Sequence, residues 1–208
     1  MHINTKLSAA RKLVPATALL AGLTLVAACG SSSSGAKAGA GGSTPAAAAD
    51  AASAHDAADV TFASDMIPHH SQAVEMADMA LKTAVDPEIK KLATAIKGAQ
   101  DPEIVKMTDW LKSWNAPVPQ TGPGHMTGMA MNGMMSDAEM ADLGKTTGKA
   151  FDTMWVSMMT RHHQGAIAMA NIELSSGQSS DAKALAQQII TGQTAEVAQM
   201  KAIARRLA

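Results

Sequence analysis

Two histidine pairs, His69-His70 and His162-His163, each have a methionine three residues ahead of them, Met66 and Met159. Imidazole nitrogen and thioether sulfur are uncharged donors, and a cluster of both types is the chemistry of a soft or borderline metal ion. The two motifs belong to a longer duplication. Shifted by 93 positions, residues 59–111 fall without a gap on residues 152–204 with 16 identities, among them Met76 on Met169, Gln100 on Gln193, Glu103 on Glu196 and Met107 on Met200. A repeat that keeps His, Glu, Gln and Met in register while its other positions drift has the form of a duplicated ligand site.

A further group of donors lies between the copies. Residues 115–139 hold His125, Met126, Met129, Met131, Met134 and Met135 among three prolines and four glycines. Pro117, Pro119 and Pro123 with Gly122, Gly124, Gly128 and Gly133 exclude regular structure from much of this loop. Packing therefore does not account for its thioethers; metal capture does, and scavenging of oxidants as methionine sulfoxide is the alternative use. Cys29 is the single cysteine, so an intramolecular disulfide and Cys-based zinc or iron-sulfur sites are excluded for this sequence.

The elements that must position these donors are helices. Helical periodicity marks residues 59–83, 87–114, 140–174 and 180–207, and alternating strand patterns are nearly absent. Asp86-Pro87-Glu88 reads as a helix start with proline in the first turn, and Ser179-Ser180-Asp181 does the same in the second copy. Each repeat is thus a helical hairpin. One hairpin cannot bury its apolar face alone, so two are expected to pack as an all-α four-helix bundle with an alanine-rich core. Pro68 and Pro102 stand where the second copy has Arg161 and Ala195. An interior proline costs up to about 3 kcal/mol, and kinks are expected there.

On a helical wheel with Met66 at zero, His70 falls at about 40° and His69 at about −60°, flanking the apolar stripe. The second helix carries Glu103 and Met107 into its own stripe, with Gln100 at the edge. Closing two hairpins face to face would gather four His, two Glu, two Gln and up to six Met in one interior. Buried carboxylates and imidazoles need partners. Either they satisfy one another as a network or they hold a metal, and the duplication favours metal. The thioethers favour copper as Cu(I), with zinc or iron behind it. Ordinary core filling accounts for Met79, Met154 and Met158.

The first 28 residues read as a signal peptide: Lys6, Arg11 and Lys12, then an apolar run from Leu13 to Ala28, closed by Val26-Ala27-Ala28-Cys29. That tetrapeptide resembles a lipobox, which implies acylation of Cys29 and anchoring to the outer face of a bacterial cell membrane. After Cys29, residues 30–58 are mostly Ser, Gly and Ala and, with Cys29, read as a flexible tether over 29–58. The remainder, 59–208, suits one domain: repeat one over 59–114, the Met-rich loop over 115–139 and repeat two over 140–208. Loss of the leader takes the formal net charge from −1 to −4, which leaves no basic stripe for nucleic acid.

The strings Met66-Ile67-Pro68-His69-His70-Ser71-Gln72-Ala73-Val74-Glu75-Met76-Ala77 and Met159-Thr160-Arg161-His162-His163-Gln164-Gly165-Ala166-Ile167-Ala168-Met169-Ala170 resemble the signature of the bacterial family called domain of unknown function three-oh-five. The resemblance covers residues 59–204. It implies a ferritin-like bundle of two repeated helix pairs, usually exported, with members associated with copper binding and tolerance, and it carries the histidine pairs over to His69, His70, His162 and His163. One departure from ferritin-like enzymes is visible. Carboxylate-bridged di-iron sites use Glu-x-x-His; here Met66 and Met159 occupy the Glu offset, which argues against dioxygen activation at a di-iron centre.

The resulting expectation is an extracytoplasmic lipoprotein that binds copper for sequestration, tolerance or delivery to a copper-handling partner. His69, His70, His162 and His163 are the principal ligands, with Met66, Met159, Met76 and Met169 as sulfur donors or neighbours. Glu103 and Glu196 ligate or accept from the imidazoles, and Gln100 and Gln193 stand behind them. A His/Glu metal oxidoreductase and a metal-free structural or interaction module are the competing readings.

Overall fold

The computed structural model describes residues 54–121 and 132–208. The expected signal peptide, Cys29, nearly all of the tether, and His125, Met126, Met129 and Met131 lie outside the described residues. Five helices follow in order: α1 (Ala57–Thr83), α2 (Pro87–Ser113), α3 (Asp137–Lys145), α4 (Gly148–Ser176) and α5 (Ser180–Leu207). The four long ones form the all-α bundle, and there is no strand among the described residues. No described helix is long and apolar enough to cross a membrane.

The helix starts follow local chemistry. Asp56 caps α1 in a capping box with Asp59, Asp86 caps α2 ahead of Pro87, and the Ser179 hydroxyl accepts the Ala182 N–H at the start of α5. One expectation needs correction. The third stretch is not one helix over 140–174: Ser136 and Glu139 form a capping box that starts α3 inside the expected loop. The chain then leaves the helix at Thr146-Thr147, both extended, and re-enters at Gly148 with φ 61°. Pro68 and Pro102 lie inside α1 and α2, which each run through their proline.

Helix α1 packs on α2 and α4 on α5, and the hairpins meet chiefly through α1 and α4. Alanine at Ala63, Ala73, Ala77, Ala80, Ala166 and Ala170 is fully buried and permits that close approach. Two apolar clusters result. One joins the C-terminal half of α1 to the N-terminal half of α4 around Trp155, whose Nε1–H donates to the Met76 carbonyl at 2.8 Å. The other joins the opposite halves around Phe62, Met66, Met107 and Leu111. Met158 is buried in the Trp155 cluster and Met79 and Met154 pack against it, as expected of core filling.

The hairpins are locked by a contact made twice. Asp59, on α1, accepts the backbone N–H of Gln178 and of Ser179 in the α4–α5 turn, at 3.1 and 2.9 Å. Asp152, on α4, accepts those of Val85 and Asp86 in the α1–α2 turn, at 3.1 and 2.9 Å. Both donors and both acceptors are related by the 93-residue offset. Each carboxylate is buried and charge-assisted, which makes these bonds stronger than neutral ones. Arg206 adds a bond from the end of α5 to Asp86 and Glu88 at the start of α2.

Candidate metal centre

Between the two apolar clusters runs a polar layer that crosses all four long helices near their midpoints. It contains His69 and His70 from α1, Gln100 and Glu103 from α2, His162 and His163 from α4, and Gln193 and Glu196 from α5. All four histidines are 0 or 1 % exposed, so both members of each pair face inward. The sequence leaves that choice open because neighbours on a helix diverge by about 100°; the second hairpin and the return of the loop cover both directions.

The outer ring of each pair is held within its own hairpin. His70 Nε2 lies 2.8 Å from Glu103 Oε2, and His163 Nε2 lies 2.8 Å from Glu196 Oε2. A carboxylate only accepts, so in the neutral form of each ring the proton sits on Nε2 and Nδ1 is left as a lone pair. The inner rings meet across the bundle: His69 and His162 have centroids 3.8 Å apart and planes tilted by 41°. His69 Nε2–H donates to the Asn132 carbonyl at 3.2 Å, again leaving Nδ1 free. Nδ1 of His69, His70 and His163, both ring nitrogens of His162, the Gln100 amide and Gln193 Oε1 are buried with no hydrogen-bond partner. Leaving buried polar atoms unsatisfied costs roughly 1–3 kcal/mol each.

Burial, reinforced by the neighbouring imidazole His70, pushes His69 down to about 3. Burial and the facing His69 push His162 well below the usual imidazole range. Both inner rings are therefore neutral at physiological pH, the state in which imidazole ligates.

The thioethers divide between the two sides of this layer. Met66 and Met107 belong to the Phe62 cluster, whereas Met76, Met159 and Met200 belong to the Trp155 cluster, and all five are fully buried. Met66 and Met159 lie one helical turn ahead of His70 and His163, and Met107 and Met200 one turn beyond Glu103 and Glu196. Met169 departs from its counterpart Met76: it is half-buried and lines a surface cleft with Phe62, Asp65 and Glu173. Of the loop residues, Met134 is half-buried and Met135 is buried in the Trp155 cluster, so packing, against expectation, does account for that one thioether. Among the described residues, no group of three or more His, Cys, Asp or Glu is arranged to hold a metal by itself. The orphaned lone pairs and buried sulfurs do fit a soft ion, whose shell would combine imidazole with thioether.

Three contributors were not singled out in the sequence. Asn132 and Gln72 act through tertiary contacts that carry no motif. Glu173, 1 % exposed, has no counterpart in the first copy, which has Ala80 at that place. Asp59 and Asp152, by contrast, are the first identity of the repeat and could have been found there.

The sequence profile of the family described as Domain of unknown function (DUF305) matches residues 59–204. A crystal structure described as a candidate secreted protein of that family from Streptomyces coelicolor is 34% identical, covers 72% of this chain and 93% of its own, and superposes with TM-score 0.65. A fragment of a family member from Deinococcus radiodurans is 30% identical over 73% of this chain and 97% of its own, with TM-score 0.64. The protein CopM in its Cu(I)-bound form is 33% identical over 71% of this chain and 96% of its own, with TM-score 0.60. CopM has also been solved with Cu(II) and with silver. Among curated proteins none matches the chain. With the profile spanning both helical hairpins and the polar layer between them, the chain belongs to the DUF305 family.

Proposed function

We propose that this protein binds copper, as Cu(I), in the polar layer of its bundle, and serves to sequester or deliver it outside the cytoplasmic membrane. The observation that carries this reading is the set of buried, unpartnered Nδ1 atoms on His69, His70, His162 and His163. A metal-free network would leave those lone pairs unsatisfied; a bound cation uses them. Glu103 and Glu196 fix the outer imidazoles and raise their donor strength. Met66 and Met159, with Met76 and the more exposed Met169, are the candidate sulfur donors, and Gln100 and Gln193 stand beside them. The copper- and silver-bound forms of CopM support a soft ion as cargo.

The loop residues His125, Met126, Met129, Met131, Met134 and Met135 form an accessory capture segment in this reading. The leader and Cys29 anchor the protein by lipid to the outer face of the membrane. Anaerobic competition titration of residues 30–208 with Cu(I), with Zn(II) in parallel, tests the proposal against a variant with all four histidines replaced by Ala. Tight Cu(I) binding that disappears in a variant of unchanged helicity supports it. Zinc preference, or equal binding by both proteins, overturns it.

A further inference from the structure

The two halves of the duplicated layer are not equal. After the first histidine pair stands Gln72; at the equivalent place in the second copy stands Gly165. Gln72 is buried and grips the backbone of Met135 from both sides: its Nε2 donates to the Met135 carbonyl at 2.8 Å and its Oε1 accepts the Met135 N–H at 2.7 Å. Gly165 supplies the opposite wall. A Cβ there would run into the Asn132 carbonyl, and one on Gly133, which has φ 84°, would meet the Arg161 carbonyl and the Gly165 backbone. Arg161 further ties the segment through the Met135 sulfur and Glu139. Residues 132–136 are thereby pinned across α1 and α4, and this sets the Asn132 carbonyl against His69 Nε2. The facing ring, His162, has no partner at either nitrogen.

We propose that Gln72 is a positioning residue of the metal site: by clamping Met135 it sets the Asn132 carbonyl on His69, so that His69 presents a preset Nδ1 while His162 remains free to ligate through either nitrogen. The assignment rests on the reading of this layer as a metal site. A preset ring loses less freedom on binding, so His69 acts as the fixed ligand and His162 adapts to the ion. Glu103 and Glu196 do the same for the outer rings with carboxylates. Of the inner pair only His69 is held, by the backbone at the C-terminal end of the Met-rich loop, so the two halves of the layer are made unequal by Gln72 against Gly165.

The test begins with the metal-free protein. Long-range proton–nitrogen correlation of the imidazoles should show His69 as a single Nε2–H tautomer in the wild type. Gln72→Ala removes the clamp, and Gly165→Ala sets a Cβ against the Asn132 carbonyl and pushes the same segment away from the other side while leaving Gln72 in place. Both should give a tautomer mixture at His69 while His70 and His163 stay unchanged. Cu(I) affinity should then fall by about 10- to 100-fold, the usual effect of losing a group that orients a ligand. Gln72→Glu, which keeps the acceptor for the Met135 N–H, should lie between. Tight wild-type binding with a His69 tautomer indifferent to both variants would overturn the positioning role alone. Absence of Cu(I) binding by the wild type, whatever the tautomers, would overturn the metal reading and with it this role for Gln72.

Discussion

His69 and His162 come from different halves of the chain, yet their ring centroids lie 3.8 Å apart in the buried centre of the bundle. The contact places one ring of each repeat on a shared boundary. If both serve one ion, His69→Ala and His162→Ala should be strongly non-additive: each alone should lower Cu(I) affinity nearly as much as the pair. A double-mutant cycle by competition titration measures this coupling. Additive losses would mean that the two rings serve separate ions.

The outer rings depend on their carboxylates. Glu103→Gln and Glu196→Gln should each weaken Cu(I) binding by about 10- to 100-fold. Both carboxylates are partly exposed, with side-chain exposures of 19% and 17%, so the melting temperature of the apo protein should change little. A large loss of stability with unchanged affinity would assign these residues to the fold instead.

Asp152→Ala should destabilise the bundle by about 2–3 kcal/mol, since it leaves the Val85 and Asp86 N–H groups without their buried acceptor. Denaturant unfolding gives the value. The matching contact of Asp59 lies at the other end of the bundle and should persist, so the variant should remain helical.

Glu173 predicts a pH dependence of opposite sign to the usual carboxylate. Burial, then its contact with Asp59, raises it to about 8 from the ordinary 4.5 of a free glutamate. Below that lower value folded and unfolded chains both hold the proton. As pH rises toward about 8 the unfolded chain releases it while the folded one keeps it, so the stabilising contribution of the neutral carboxyl is lost. Asp59 runs the other way: burial would raise it, but hydrogen bonds from Asp56, Glu173, Ser179 and Gln178 outweigh that and lower it. Glu173→Gln should therefore gain stability over the wild type through this window, on the order of a few kcal/mol, and the gain should level off in more alkaline solution. Thermal melts across the window, at matched ionic strength, check the sign.

The same carboxyl explains a glycine. At Gly177 an added Cβ would collide with the carboxyl of Glu173 and approach that of Asp59. The first copy has Ala80 and Ala84 at the equivalent places. Gly177→Ala should cost about 1–3 kcal/mol through overpacking, and Glu173→Ala in that background should recover part of it. A double-mutant cycle by chemical denaturation tests the pairing.

The sequence by itself determined the helices, their pairing into two hairpins and the donor types at the centre. Helical period and capping are local, and the 93-residue offset marks His, Glu and Gln as one set carried twice. It also held the cross-hairpin lock in plain form, because Asp59 and Asp152 are identical at matched positions. The start of α3 was missed because the Ser136–Glu139 box is a short local signal inside a stretch dominated by Gly and Pro.

Only the tertiary structure decided how the two copies face each other. Burial of both histidines in each pair needs the opposite hairpin and the return of the loop, and a single helix wheel contains neither. It also decided that His69 donates to the carbonyl of a distant segment while His162 makes no such bond. A carbonyl is present at every residue, so no pattern of residue types announces which one arrives, and the clamp between Gln72 and Met135 exists only once a distant segment has closed over the bundle.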